Sequence, residues 1–129
     1  MNEMKIAYLF PGQGSQAMGM GKELAAAYPI ARQVCEQADD LLGFALSRLA
    51  WEGPEEALND TLNTQPALLV HSVAALRVLE QLLPELAPAF VAGHSMGEIS
   101  ALVGAGALDF PEALALARTR GVLMKQAGE

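Results

Sequence analysis

The sequence has few of the residues that mark several common classes of protein. Its single cysteine, Cys35, cannot form an internal disulfide, which favours a reducing compartment. Lys and Arg number 8 against 15 Asp and Glu, and the resulting net charge of −7 disfavours non-specific binding to nucleic acid. The longest uncharged apolar run, residues 99–108, is much shorter than the roughly 20 residues that span a bilayer. We therefore expect a cytoplasmic protein that binds neither nucleic acid nor a membrane.

The residues that are present suit one compact domain with strands and helices. Hydrophobic residues make up 52% of the 129 positions and charged residues 18%, as in a globular core. Two short apolar runs, 5–10 and 89–92, predict buried strands. Helical spacing, prolines and capping residues predict helices over 16–28, 30–42, a short stretch from Pro54, 66–83, 98–107 and 111–126. Gly43 is expected to end the second of these helices and Asp109 to cap the last. Cys35 is expected to pack as a small apolar residue on a helix.

Two strands separated by helices indicate part of a layered α/β fold with parallel strands. A parallel sheet of two strands is not a stable unit by itself, and no strand follows the last predicted helix. We therefore expect this chain to be the front part of a longer protein.

The most informative stretch is AGHSMGE, residues 92–98. Gly93 to Gly97 match G-x-S-x-G, the nucleophile elbow, and the required strand and helix flank it. Such a turn exposes the hydroxyl of Ser95 at a helix N-terminus, where the N–H of Met96 can stabilise an oxyanion. His94 is adjacent in sequence, so we expect its side chain to point away from the hydroxyl and to support or pack the turn.

A second glycine-rich turn, FPGQGSQ at 10–16, follows the first strand. Residues 12–17 formally match G-x-G-x-x-A, a dinucleotide-binding pattern, but the acidic candidates Asp39 and Asp40 lie in a predicted helix rather than at a strand end. The same turn could instead place the backbone N–H of Gln13 beside Ser95 as a second oxyanion donor. Both interpretations remain open at this point.

Four motifs in order, FPGQGSQ, TQPALL (64–69), AGHSMGE and TRGVLM (119–124), resemble the malonyl-CoA:acyl-carrier-protein transacylases of fatty acid and polyketide synthesis. The resemblance implies ping-pong transfer of a malonyl group from malonyl-CoA through an acyl-serine to the phosphopantetheine thiol of acyl carrier protein. It assigns the nucleophile to Ser95, the oxyanion hole to the amides of Gln13 and Met96, and an active-site lining position to Gln65. It assigns Arg120 to binding of the malonyl carboxylate, because a guanidinium can form two parallel hydrogen bonds with a carboxylate. Arg118 falls on another helix face, where we expect it to be solvated.

The resemblance also implies what lies downstream. The family fold is expected to be a three-layer core like that of the α/β-hydrolases, with residues 1–129 as the N-terminal part of the catalytic domain. The catalytic histidine and a small ferredoxin-like subdomain are expected beyond this chain, because neither His71 nor His94 matches the family base. These 129 residues alone should be nearly inactive without the remainder of the polypeptide, since a serine without a base is a weak nucleophile. We expect no metal and no cofactor, with malonyl-CoA as substrate.

Three alternatives accompany this interpretation. A serine esterase of the α/β-hydrolase type would share the elbow and would hydrolyse its ester without a carrier thiol. A dinucleotide-binding module would use residues 12–17 and be indifferent to Ser95. A non-catalytic fragment would bind the carrier protein without forming an acyl-enzyme. The role of Glu98 stays open beyond a favourable interaction with the helix dipole.

Overall fold

The computed structural model describes residues 4–129, so residues 1–3 of the predicted domain lie outside the described residues. Helices pack on a sheet of two parallel strands, β1 (Ala7–Phe10) and β2 (Phe90–Gly93). The helices are α1 (Lys22–Ala27), α2 (Pro29–Leu42), α3 (Leu46–Glu52), α4 (Glu55–Asn59), α5 (Thr61–Leu82), α6 (Met96–Gly104) and α7 (Phe110–Ala127). The predicted α/β class with parallel strands is confirmed.

The register of the sheet decides where the two glycine turns meet. Phe10 pairs with Gly93 at the carboxyl ends of both strands, so the turns that follow lie side by side. One face of the sheet packs on α5 and α6 through Phe10, Leu76 and Ala101. The opposite face is open: the side chains of Leu9 and Phe90 are 76% and 69% exposed. Helices therefore cover one side of this sheet over residues 4–129.

The centre of the domain is α5, whose residues 64–70 are all buried. The predicted start of this helix at Pro66 is wrong, because the helix begins five residues earlier. Asp60 caps it by accepting the N–H of Leu62 on its side chain at 3.3 Å. Pro66 is thus a proline inside a helix, which frees the carbonyl four residues before it.

The structure differs from the predicted helices at three further places. The segment 16–21 is not helical, because Gly19 and Gly21 adopt positive φ angles of 88° and 81° and only residues 22–27 form α1. Helix α3 was not predicted, because only Leu46 and Ala50 of its seven residues are buried and so the apolar pattern is short. Helix α6 begins at Met96, two residues before the predicted start.

Several local predictions are confirmed. Gly43 ends α2 in the left-handed conformation, with φ 78°. Asp109 caps α7 by accepting the N–H of Glu112 at 2.9 Å. Cys35 is buried in the core, and this burial, aided by nearby carboxylates, raises the pKa of its thiol to about 11.

None of the helices within residues 4–129 combines the length and apolarity needed to cross a membrane.

Candidate active site

Ser95 occupies a strained turn between β2 and α6. Its φ of 56° and ψ of −109° make it a non-glycine residue at positive φ, a conformation that costs about 1–3 kcal/mol and clusters at functional sites. The two flanking glycines are required sterically. A Cβ at Gly93 would overlap the carbonyl group of Gly97, and a Cβ at Gly97 would overlap the carbonyl oxygen of Phe10. The strand, the turn and the helix thus pass as close to one another as the sequence pattern predicts.

The second glycine turn packs directly against this elbow. The carbonyl of Gly12 accepts the N–H of Ser15 at 3.2 Å, with Gly14 at φ 107°. Gln13 is the second residue of this turn, a position whose N–H takes no part in closing it. A Cβ at Gly12 would overlap the carbonyl oxygen of His94, so only glycine permits this approach. The backbone of Gln13 is therefore held beside the serine turn.

Five side chains from four segments form one hydrogen-bonded network. Arg120 of α7 donates from Nη2 to Ser95 Oγ at 2.9 Å and from Nη1 to the side-chain oxygen of Gln65. Gln65 is fully buried and donates from Nε2 to Oε1 of Gln13 at 2.8 Å. The same oxygen of Gln13 accepts the hydroxyl of Thr61 at 2.7 Å. The structure thus brings together Gln13, Gln65, Ser95 and Arg120, and adds Thr61, which the sequence patterns do not single out.

The start of α6 presents an amide to the same region. Gly97 and Glu98 donate their N–H groups to the carbonyls of His94 and Ser95, each at 2.9 Å. Met96 is the first residue of the helix, where an N–H has no carbonyl four residues earlier in the helix to bind. This N–H and the positive end of the helix dipole can therefore stabilise negative charge next to Ser95.

The two histidines occupy different environments. His94 is exposed in the elbow, with its backbone N–H bound to the carbonyl of Phe10 at 3.2 Å. His71 lies on α5 against Gly21, and its Nδ1 is buried with no hydrogen-bond partner in residues 4–129. Burial lowers the pKa of His71 below its usual value of 6.5. Neither imidazole hydrogen-bonds Ser95 Oγ within the described chain, where the serine hydroxyl contacts Arg120 instead.

Arg118 is half-buried and makes hydrogen bonds within the domain, so the prediction that it is solvated is wrong. Its Nη1 donates to the carbonyl of Leu62 at 2.7 Å and to Oδ1 of Asn63 at 3.0 Å. Its guanidinium carbon also lies 5.0 Å from the centre of the Phe44 ring, a cation–π contact. The sequence feature that could have indicated this contact is Pro66, because a proline inside a helix leaves the carbonyl of Leu62 without its helical donor.

The acidic residue needed for dinucleotide binding has another partner. Asp39 lies in α2, where its carboxylate accepts the backbone N–H of Ser47 at 3.0 Å and the hydroxyl of Ser47 at 2.5 Å. It therefore holds the start of α3, and neither Asp39 nor Asp40, its neighbour in α2, follows a strand. The structure gives the dinucleotide interpretation no support.

Comparisons with known proteins identify the family of the chain. Residues 7–129 match the family described as the acyl transferase domain. The chain belongs to the acyl transferase domain family. The malonyl CoA-acyl carrier protein transacylases of Haemophilus influenzae and Escherichia coli K12 are 54% and 50% identical to it over 95% of its length.

Solved structures of acyl transferases superpose closely on this one. An acyl carrier protein S-malonyltransferase from Vibrio cholerae has a TM-score of 0.91 at 52% identity and covers 96% of the chain. A malonyl-transacylase in complex with a type II polyketide synthase acyl-carrier protein has a TM-score of 0.90 at 51% identity. The chain spans about 40% of the length of these relatives.

Proposed function

We propose that the protein transfers a malonyl group from malonyl-CoA to the phosphopantetheine thiol of an acyl carrier protein by a ping-pong mechanism. The contact that carries this proposal is the one between Arg120 and Ser95, whose Nη2 and Oγ atoms lie 2.9 Å apart. A malonyl ester on this oxygen carries a free carboxylate at its other end, within reach of the same guanidinium. Arg is suited to that carboxylate, because it is always charged and binds with two parallel hydrogen bonds.

In the first half-reaction, Ser95 Oγ attacks the thioester carbonyl of malonyl-CoA. The new C–O bond forms as the serine proton passes to a base, and collapse of the tetrahedral intermediate breaks the C–S bond and releases CoA as its thiol. In the second half-reaction the thiol of the carrier protein attacks the acyl-serine, and the proton returns to Ser95. Each half conserves the acyl group, so no oxidant or reductant is needed.

The negative oxygen of both tetrahedral intermediates needs two donors. We assign them to the backbone N–H groups of Gln13 and Met96, on the two turns that pack together. Loss of one such donor lowers the rate of comparable hydrolases by about 100- to 1,000-fold. Gln65 lines the site and holds Arg120 by accepting its Nη1, while His94 supports the elbow through its backbone.

Ser95 also needs a general base, which we assign to the remainder of the acyltransferase polypeptide. Residues 4–129 place no imidazole or carboxylate in hydrogen-bond contact with Ser95 Oγ, so these residues alone should be nearly inactive. We assign this chain to the N-terminal part of a three-layer, α/β-hydrolase-like catalytic domain that works in the cytoplasm. The third layer would cover the open sheet face at Leu9 and Phe90.

The test is a transfer assay with the complete source polypeptide, malonyl-CoA and the phosphopantetheine-bearing carrier protein. We expect malonyl-carrier thioester to accumulate, and Ser95→Ala to abolish it. Free malonate formed at the same rate without the carrier would identify an esterase instead. Binding of the carrier protein without any acyl transfer would identify a docking module and contradict the proposal.

A further inference from the structure

A proline in the body of α5 creates a specific defect close to the site. Pro66 has no N–H, so the carbonyl of Leu62, four residues earlier, lacks its helical hydrogen bond. A buried or half-buried carbonyl left without a donor is destabilising. Arg118 of α7 supplies the donor, with Nη1 2.7 Å from the oxygen of Leu62.

The neighbouring contacts show that α7 is fitted to this same turn of α5. Gly121 lies one turn after Arg118, and a Cβ there would be 2.9 Å from Cα of Leu62 and 3.0 Å from the carbonyl oxygen of Thr61. One turn further on, Lys125 Nζ binds Asp60, the cap of α5, at 2.6 Å. Residues 118, 121 and 125 share one face of α7, since they follow the helical repeat. That face of α7 therefore packs on the first turn of α5.

The active-site residues Gln65 of α5 and Arg120 of α7 lie close in sequence to this contact between the two helices. Gln65 immediately precedes the proline, and Arg120 follows Arg118 by two residues, about 200° around α7. Any slide or rotation of α7 on α5 therefore moves the guanidinium of Arg120 relative to Gln65 and Ser95. Arg118 opposes such a movement with two hydrogen bonds and its stacking on Phe44.

We propose that Arg118 is a positioning residue for acyl transfer: it binds the Leu62 carbonyl that Pro66 frees, and so holds Arg120 between Gln65 and Ser95. This inference rests on the proposed function for its consequence in catalysis. Arg118→Met keeps much of the side-chain length but removes the donors. Because a displacement of about 1 Å can lower a rate about 100-fold, we expect malonylation of Ser95 to fall by about tenfold to 100-fold. Acetyl-CoA lacks the carboxylate, so its reaction should fall less and the malonyl-to-acetyl preference should narrow.

Pro66→Ala provides a sharp test, because the alanine restores the missing N–H and satisfies the carbonyl of Leu62 from within α5. In that background Arg118→Met should alter the malonyl-to-acetyl preference much less than in the wild type. Arg48→Met is the matched control, since within residues 4–129 Arg48 pairs only with Glu52, on the surface. The acylation rates are measured on the complete source polypeptide by quenched-flow mass spectrometry, and folding is checked by thermal unfolding.

Each result decides the inference. An unchanged preference in Arg118→Met, or an equal loss with and without Pro66, would overturn it even if the melting temperature falls. If Arg118→Met alone does not fold, the double variant is compared with Pro66→Ala: a small difference in malonyl-to-acetyl preference between them supports the inference, and a large one overturns it. If the wild type takes up no malonyl group, the proposed function fails separately. Crystal structures then decide the positioning claim: an Arg120–Ser95 distance that stays at 2.9 Å in Arg118→Met would contradict it, and a longer one would support it.

Discussion

Gly93→Ala is the perturbation that most directly probes the geometry of the serine turn. The added Cβ would lie 2.5 Å from the backbone N of Glu98 and closer still to the carbonyl group of Gly97. Real Cβ atoms essentially never approach other heavy atoms closer than 3.0 Å, so β2 and α6 must separate by at least the difference. Both obstacles are backbone, so no flexible side chain can move away to relieve the overlap.

We expect two consequences of this separation. Overpacking of this kind typically costs about 1–3 kcal/mol of unfolding free energy, and a backbone clash belongs at the upper end. Ser95 lies between the two elements, so it moves with them and acylation should fall by about 100-fold. The assays are urea unfolding and the rate of Ser95 malonylation in the complete source polypeptide.

Gly128→Ala is the matched control for this substitution. Gly128 has an ordinary helical φ of −86°, and a Cβ there would make normal contacts at 3.6 Å and beyond. We expect that variant to unfold within about 0.5 kcal/mol of the wild type, as surface substitutions do. Gly93→Ala with wild-type stability and a wild-type acylation rate would refute the close passage of β2 and α6.

Three further predictions concern single residues. Arg120→Ala should lower malonylation of Ser95 by about 100-fold or more and leave acetylation comparatively unaffected, because the half-buried charged partner of the carboxylate is lost. Equal losses for both acyl groups, measured by intact mass, would contradict this role. Ser95→Gly should have a free energy of unfolding about 1 kcal/mol higher than Ser95→Ala, because glycine relieves the strain at positive φ by more than its flexible unfolded chain costs. Equal urea midpoints would count against strain at this turn. His71 has a lowered pKa, so the unfolded state binds more protons below pH 6.5 and wild-type stability should rise as pH increases towards that value. His71→Gln should show a weaker rise between acid and neutral pH, and an unchanged slope would show that this group does not contribute.

The sequence predicted those features that depend on local geometry. Ser95 and its flanking glycines could be recognised because a strand, a tight turn and a helix must follow one another in that order. The cap of α7 at Asp109 and the end of α2 at Gly43 could likewise be predicted, because each depends only on the neighbouring backbone. The proximity of Arg120 to Ser95 followed from the resemblance and not from spacing, because the two residues lie 25 positions apart.

What the sequence did not predict depends on contacts between distant segments. Pro66 looked like a helix start, because a proline in a helix interior normally leaves a carbonyl unsatisfied. The structure tolerates it through Arg118, which comes from another helix 56 residues beyond Leu62. The solvated interpretation of Arg118 failed for the same reason, since its partner was a backbone atom that no residue pattern displays.

The loop before α1 shows a second kind of failure. Residues 16–28 were predicted to form one continuous helix, yet Gly19 and Gly21 adopt positive φ angles and the helix begins only after them, at Lys22. The N–H of Gly19 instead binds the carbonyl of Ala50, at 2.9 Å, so a tertiary contact overrides local propensity. Glycine can adopt either a helical or a positive φ angle, and here the packing against α3 selects the positive one.

The most direct test of the central claim is intact-mass spectrometry of the complete source polypeptide after brief exposure to malonyl-CoA, with Ser95→Ala in parallel. Our account predicts a mass gain of one malonyl group in the wild type, absent in the variant and removed on addition of the carrier protein's thiol. Peptide mapping should locate the group on Ser95. A folded, full-length protein that gains no mass, or that gains it equally in Ser95→Ala, would contradict the acyl-serine mechanism.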